Sequence, residues 1–450
     1  MKRVDILALG TCGLVLAAIL LPTLVRRRNH ARISVCSDNL QKLGIAIHNY
    51  HDNYRRLPAA RSGTDGGSSD PFDYEASVLD ESVAKGTSHN GRRLSGFVGL
   101  TPFIEQQALW EHFAKPYSHH GGEIPPMGPG LEVDPAVYRP FAFTVPEYTC
   151  PAQEPVQTGY GFRNYFFCYG DAIEAIDRSA KPPKDTPPDT ASMWLRQIRT
   201  NQRGLFGGDR SLQFRDCLDG LSNTVMVAEG VVGVGDGLVV GEVVRGTDGI
   251  KQSPARLMQT IDPAEDGKYY HEDRPTWQPS RGGHWADGAV FVSGFNTVLP
   301  PNGPSSTTPG SVVGGVFTAS GRHPQGINVL MGDGAVRWVS QTIDAGDPTE
   351  TSVFAGESDS SAKSPYGVWG ALGTRGSKEL VDRPGKPPEQ LMRAEYAEVF
   401  RKNTGMRIAA DPNASDKDRT DVDYRLSEVE QRLNKMERKL DSLLERLLKE

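Results

Sequence analysis

Basic charge is not in surplus. The chain sets 50 Lys and Arg against 56 Asp and Glu, a net charge of -6, so nothing draws it globally to a phosphate backbone and nucleic acid is not an expected partner. Apolar residues are also sparse, at 37% with a mean hydropathy of -0.45, which argues against an all-helical packed bundle. Cysteines number five, and none stands in the C-x-x-C spacing of a structural zinc site. The chain carries no G-x-S-x-G elbow, Walker loop, H-E-x-x-H or G-x-G-x-x-G fingerprint in its required strand and helix context. No enzyme is expected, and no cofactor. What is abundant is glycine, at 49, and proline, at 32, the residues of turns and of loops between short strands. At 450 residues the chain exceeds the usual single domain.

Two segments depart from that average. Ile6 to Val25 is an uncharged run of about the ~20 residues a helix needs to cross a bilayer. No small-x-small cleavage site follows it, so it reads as a retained anchor in the cytoplasmic membrane. Arg26, Arg27, Arg28 and Arg32 after the run outnumber Lys2 and Arg3 before it. Alone, that imbalance would keep the body inside, although the rule is weak for long domains. Next, Ile33, Cys36, Leu40, Leu43, Ile47, Tyr50 and Tyr54 recur at helical steps, predicting an amphipathic stalk helix with one apolar face. At the other end, Val422, Leu426, Val429, Leu433, Met436, Leu440, Leu443 and Leu447 alternate four- and three-residue steps, a heptad seam. Arg425 and Arg432 beside Glu430 and Glu437 favour parallel self-association, so a homo-oligomer is expected.

The body between them reads as short strands and loops. Strands are expected at Asn164–Cys168, Thr224–Ala228, Leu238–Val244, Ala289–Val292, Gly314–Thr318, Ile327–Met331 and Ala335–Val339. A helix is expected at Leu100–Phe113, with Thr101 as a cap. Asp333-Gly334 between apolar runs is a hairpin signal. The expected architecture is α+β, a helix docked on an antiparallel sheet with large loop insertions.

Several ordered blocks carry a resemblance: CSDNLQKLGIAIHNYHDNYRRLP from Cys36, LTPFIEQQALW from Leu100, YTCPAQ from Tyr148, FRDCLDGLSNTVMVAEG from Phe214, GGHWADGAVFVSGFNTVLPPN from Gly282, GRHPQGINVLMGDGAVRWVSQTID from Gly321, and WGALGTRGSKE from Trp369. The chain resembles a large bacterial family of prepilin-like proteins of unknown function, marked by a histidine, nine residues, then Asp-Gly, here His323, Asp333 and Gly334. The resemblance implies a type IV pilin or type II secretion pseudopilin-like architecture: a long N-terminal helix, half in the membrane and half packed on a β-rich head outside it. The leader of such proteins is not recognisable, with Asp5 standing near the place of their early glutamate, so a permanently anchored surface protein is expected rather than a processed filament subunit. The divisions are then residues 1–25 for the anchor, 26–57 for the stalk, 58–383 for the head, 384–420 for a polar linker and 421–450 for the coiled coil.

Four body cysteines, Cys36, Cys150, Cys168 and Cys217, allow three pairings or four buried thiols. The resemblance favours Cys36 with Cys150, both in family blocks, leaving Cys168 with Cys217. Among metals only calcium has a candidate site, at Asp216, Asp219 and Asn223 with Glu229 near them; Asx-turns explain the same residues without an ion. His48 and His51 share a helix face without a third ligand, and His323 is expected to bond backbone or the Asp333 turn. The expected role is a non-enzymatic, single-pass, pilin-like surface or secretion protein whose partners are membrane, copies of itself and pilus or secretion components. The alternative is an extracytoplasmic ligand- or carbohydrate-binding module using Trp277, Trp285 and Phe295.

Overall fold

The stalk periodicity becomes helix α1 over residues 31–54. It ends at Arg55, whose left-handed φ of 57° lets its N–H bond the His51 carbonyl at 2.7 Å, the usual way to close a last turn. The computed structural model describes residues 31–378 apart from 66–72, 120–121, 155, 158, 184, 324 and 354–361. The expected anchor, the first stalk residues, the linker and the heptad seam lie outside the described residues. Among the described residues, no helix is long and apolar enough to cross a membrane.

The described residues form an α+β fold. Its centre is a five-stranded sheet with three two-stranded ladders around it. The strands are β1 (Tyr165–Cys168), β2 (Val225–Glu229), β3 (Gly294–Phe295), β4 (Gly326–Met331) and β5 (Val336–Ser340), ordered β5-β4-β2-β1-β3. All neighbours are antiparallel except β1 with the short β3, which is parallel. The hairpin expected at Asp333-Gly334 joins β4 to β5, with Gly334 at a positive φ of 88° as such a turn needs.

Residues β1, β2 and β4 are buried along their whole length, because both faces of the sheet are covered. On one face Leu40, Leu43, Ala46 and Ile47 of α1 join a core with Tyr165, Phe167, Val227 and Leu330. On the other, Phe166, Ala228, Val329 and Ile327 pack with Phe295 and Trp369, the last carried by helix α2 (Gly367–Gly373). Double coverage explains why these strands read as apolar runs without alternation. Only the edge strand β5 keeps exposed positions. The helix comes so close to the hairpin that a Cβ on Gly44 would lie 3.0 Å from Leu330 Cδ1.

Several expected elements differ. Leu238–Val244 is irregular, held by isolated bridges from Leu238 to Tyr269 and from Val244 to Thr276 and Ser306. The 289–292 segment is a helical turn, Val290–Ser293, and the 314–318 strand shrinks to Gly315–Val316. The helix expected at 100–113 breaks into Gly96–Leu100, a 3-10 turn Thr101–Ile104, a left-handed Glu105 at φ 63°, and Gln107–Ala114. The break falls at Glu105, whose left-handed backbone sends its N–H to the Thr101 carbonyl and closes the 3-10 turn, while Pro102 sits in that turn's first positions, where its missing N–H costs nothing. The cap is Ser95, whose Oγ accepts from the Phe97 N–H.

On α1 the stripe residue Leu43 is fully buried, whereas Tyr54 at the end of the stripe is 53% exposed and Ile45, off the stripe on the outer face, 61%. Leu43→Ala should therefore lower stability by about 3 kcal/mol through lost transfer energy and a residual cavity. Ile45→Glu should stay within about 0.5 kcal/mol. Urea unfolding of the two variants checks this contrast.

Candidate functional site

Four chain segments converge where α1 enters the head. Cys36 comes from the second described turn of α1, Cys150 from the segment after a 3-10 turn at Pro146–Tyr148, Glu229 from the end of β2, and His323 from the approach to β4. All four are buried, and one ligand-type atom from each lies within 4.8 Å of the others. Cys36 and Cys150 are joined as a disulfide. His323 Nε2 is 3.6 Å from Cys150 Sγ and 3.3 Å from Glu229 Oε1.

The Glu229 carboxylate is 2% exposed and is satisfied from the neighbouring strand. Its Oε2 accepts the Asn328 N–H at 2.8 Å and its Oε1 the Asn328 amide at 2.9 Å. A buried carboxylate without such donors would cost several kcal/mol. Further bonds tie the helix down around the sulfurs. Asn39 donates to the Thr149 carbonyl at 2.9 Å, Tyr165 Oη to the Cys36 carbonyl at 3.1 Å, and the Cys150 N–H to Asn164 Oδ1 at 3.0 Å. Beside His323 a cavity of about 300 Å³ opens, with Val239, Ile261 and Pro304 on its walls and Lys268 and Arg322 among its polar groups.

The second expected cysteine pair does not form. Cys168 and Cys217 are free thiols: Cys168 is buried at the end of β1, where its thiol points to the Gly373 carbonyl, and Cys217 donates to Thr224 Oγ1 at 3.2 Å. Nor does His323 bond the Asp333 turn. Asp333 closes its own turn by accepting the Ala335 N–H at 3.0 Å. The histidine that reaches the hairpin is His48, 3.1 Å from the Gly332 carbonyl, while the rings of His48 and His51 both lie against Phe214.

The calcium candidates are engaged in bonds to the protein itself. Asp216 accepts the Gln213 N–H at 2.8 Å, and Asn223 donates to the Asp219 carbonyl at 3.0 Å. Asp219 clamps the 374–378 segment by accepting the N–H groups of Ser377 at 3.0 Å and Lys378 at 2.7 Å. Glu229 faces His323 instead of this loop. The aromatic groove also fails to assemble. Trp285 and Phe295 are fully buried, and Trp277 alone borders a cavity of about 260 Å³, under the Arg245 guanidinium.

A second set of buried charges pins the loops. Arg61 meets Asp177 at 3.0 Å, with Tyr74 also donating to that carboxylate. Arg93 grips Asp287 through two bonds of 3.0 and 2.6 Å, and Arg203 meets Asp171 at 2.6 Å. Arg163 donates to Ser95 Oγ and to the carbonyls of Trp285 and Asp287. Next to them, His284 lies stacked on Tyr160 with ring centroids 4.4 Å apart, its Nδ1 accepting the Ala286 N–H. Burial, reinforced by Arg93 and Arg163, pushes its imidazole down to about 3.

The sequence of the chain matches, over residues 26–346, the family described as Protein of unknown function (DUF1559). The chain belongs to this family. Cys36, Cys150, Glu229 and His323 all fall within the span that defines it as a DUF1559 protein, whereas α2, which closes the second sheet face, lies beyond it. Comparisons with curated proteins and with solved structures find no match. What sequence reasoning missed in this DUF1559 member is the pairing of Glu229 with His323. The available signal was a carboxylate ending the otherwise apolar run VMVAE, since a charge on a buried strand needs a partner.

Two measurements probe these groups. The Cys36–Cys150 bond spans a sequence separation of 114, so metal-free reduction should lower stability by about 4–5 kcal/mol in the chain-entropy estimate, read from urea midpoints with and without reductant. For His284, the unfolded chain binds a proton below about pH 6.5 that the folded chain refuses until about 3. Stability from this group is complete above pH 6.5 and falls as the medium is acidified, by about 3 kcal/mol at pH 4.5. His284→Asn, whose Oδ1 can still accept the Ala286 N–H, should lose that slope. Asp177, pushed up to about 6 by burial despite Arg61, acts with the opposite sign but is common to both proteins and cancels in the difference.

Proposed function

We propose that this chain is a membrane-anchored, non-enzymatic, pilin-like protein of the cell surface, serving surface architecture or a type II secretion or pilus-like assembly. The observation that carries the reading is α1. It inserts Leu40, Leu43, Ala46 and Ile47 into the head and is bonded to it through Cys36, while the uncharged run Ile6 to Val25 precedes it in sequence. A helix fastened in this way can carry the head at a set position relative to whatever holds its N-terminal side. The heptad seam from Val422 to Leu447 would bring copies together through a parallel coiled coil. A Cys36–Cys150 disulfide suits an oxidising compartment, which supports a head outside the cytoplasm.

Protease treatment of spheroplasts tests the placement. The head should be cleaved while the membrane is intact and a cytoplasmic marker survives. Protection until lysis would reject the outward head and favour the orientation that Arg26, Arg27, Arg28 and Arg32 would set by themselves.

A further inference from the structure

We propose that Cys36 Sγ, Cys150 Sγ, His323 Nε2 and Glu229 Oε1 bind one zinc(II) ion when the two cysteines are thiols. The cluster would thus fasten α1 to the head in either of two states, by a disulfide or by a metal. This inference does not depend on the side of the membrane where the head resides.

The geometry supports tetrahedral coordination. With Zn–N near 2.0–2.1 Å, Zn–S near 2.3 Å and Zn–O near 2.0–2.2 Å, the nitrogen and sulfur ligands of a tetrahedral site sit about 3.6 Å apart, and nitrogen and oxygen about 3.4 Å. His323 Nε2 is 3.6 Å from Cys150 Sγ and 3.3 Å from Glu229 Oε1. Two of the required separations therefore already exist. Two unbonded thiolates on one zinc stand about 3.8 Å apart, close to the ordinary contact distance of sulfurs that share no bond.

The donor set also selects the ion. Two thiolates with an imidazole and a carboxylate favour zinc over calcium or magnesium, which prefer all-oxygen shells. The supporting shell is in place: Asn328 holds both Glu229 oxygens, and Asn164 holds the Cys150 backbone. Outer partners of this kind fix ligand orientation. The chain is synthesised with both cysteines as thiols, so zinc entry needs no reductant. Each thiol releases one proton to solvent, the imidazole carries its proton on Nδ1 to free the Nε2 lone pair, and no electron is transferred.

Full-length protein in detergent, reduced with a phosphine, stripped with a chelator and kept anaerobic, is titrated with cobalt(II) and then zinc(II). The expected result is one cobalt per chain with the intense visible bands of tetrahedral thiolate coordination, bleached by one equivalent of zinc. Zinc should also raise the melting temperature of the reduced protein. His323→Ala and Glu229→Gln should each weaken zinc by more than about 100-fold, and Cys36→Ser/Cys150→Ser should abolish the spectrum. A reduced wild-type protein with native circular dichroism but no cobalt band would overturn the proposal. So would a six-coordinate spectrum, or loading that persists in the double serine protein, since other cysteines of the chain would then be the ligands. If the stripped wild type is unfolded, zinc must restore its native spectrum; failure to do so rejects the site.

Discussion

The burial of Leu40, Leu43, Ala46 and Ile47 against Tyr165, Phe167, Val227 and Leu330 governs the arrangement of the head, because a strand slipped by one residue would turn its other side to the helix. With α1 on one face, the remaining chain must cover the second. It does so with α2 and the loops around Phe295, from which Trp369 donates its indole N–H to the Leu299 carbonyl at 2.9 Å. The strands consequently lose the alternation of a half-exposed sheet, and β5 alone keeps exposed positions. Helix and hairpin are held in register by small groups: Gly44 permits the close approach, and His48 meets the Gly332 carbonyl.

Large loops make up much of the head, and a loop contributes less apolar surface than a strand or helix packed on a core. Buried ion pairs take over part of the positioning. Arg61 with Asp177 and Arg93 with Asp287 each join residues more than a hundred positions apart, at 116 and 194. Such pairs add little net stability against apolar replacements of the same shape, but removing one partner costs about 3–5 kcal/mol because the other charge stays buried. Their value is in selecting one loop arrangement among many. The Glu229 and His323 pair follows the same rule, with two sulfurs added, and its position at the entry of α1 sets it apart from the others.

Residues whose structure depends on nearby neighbours were the legible ones. The stalk period, the strands near 164–168 and 224–228, and the Asp333-Gly334 hairpin all appear within a residue or two of expectation. The failures have other origins. The helix expected over 100–113 is interrupted at the left-handed Glu105, although its apolar spacing is sound. Leu238–Val244 has the composition of a strand but finds no continuous partner to pair with. Trp285 and Phe295 resemble exposed loop aromatics in sequence, yet the loops fold over them. In the last two cases the deciding contacts come from elsewhere in the chain.

The sequence by itself determined which segments could bury a face, where turns had to fall, and that His323 stood at a set distance from Asp333 and Gly334. These properties follow from side-chain spacing and backbone preference, which act over a few residues. Only the tertiary structure decided that His323 turns away from that hairpin toward Glu229, that Cys36 reaches Cys150 while Cys168 and Cys217 stay apart, and that the Asp219 carboxylate holds the distant 374–378 segment. Those outcomes depend on which distant segments the sheet order brings to one end of α1. Four donors drawn from positions 36, 150, 229 and 323 share no local pattern, and their meeting is a consequence of how the strands are laid side by side.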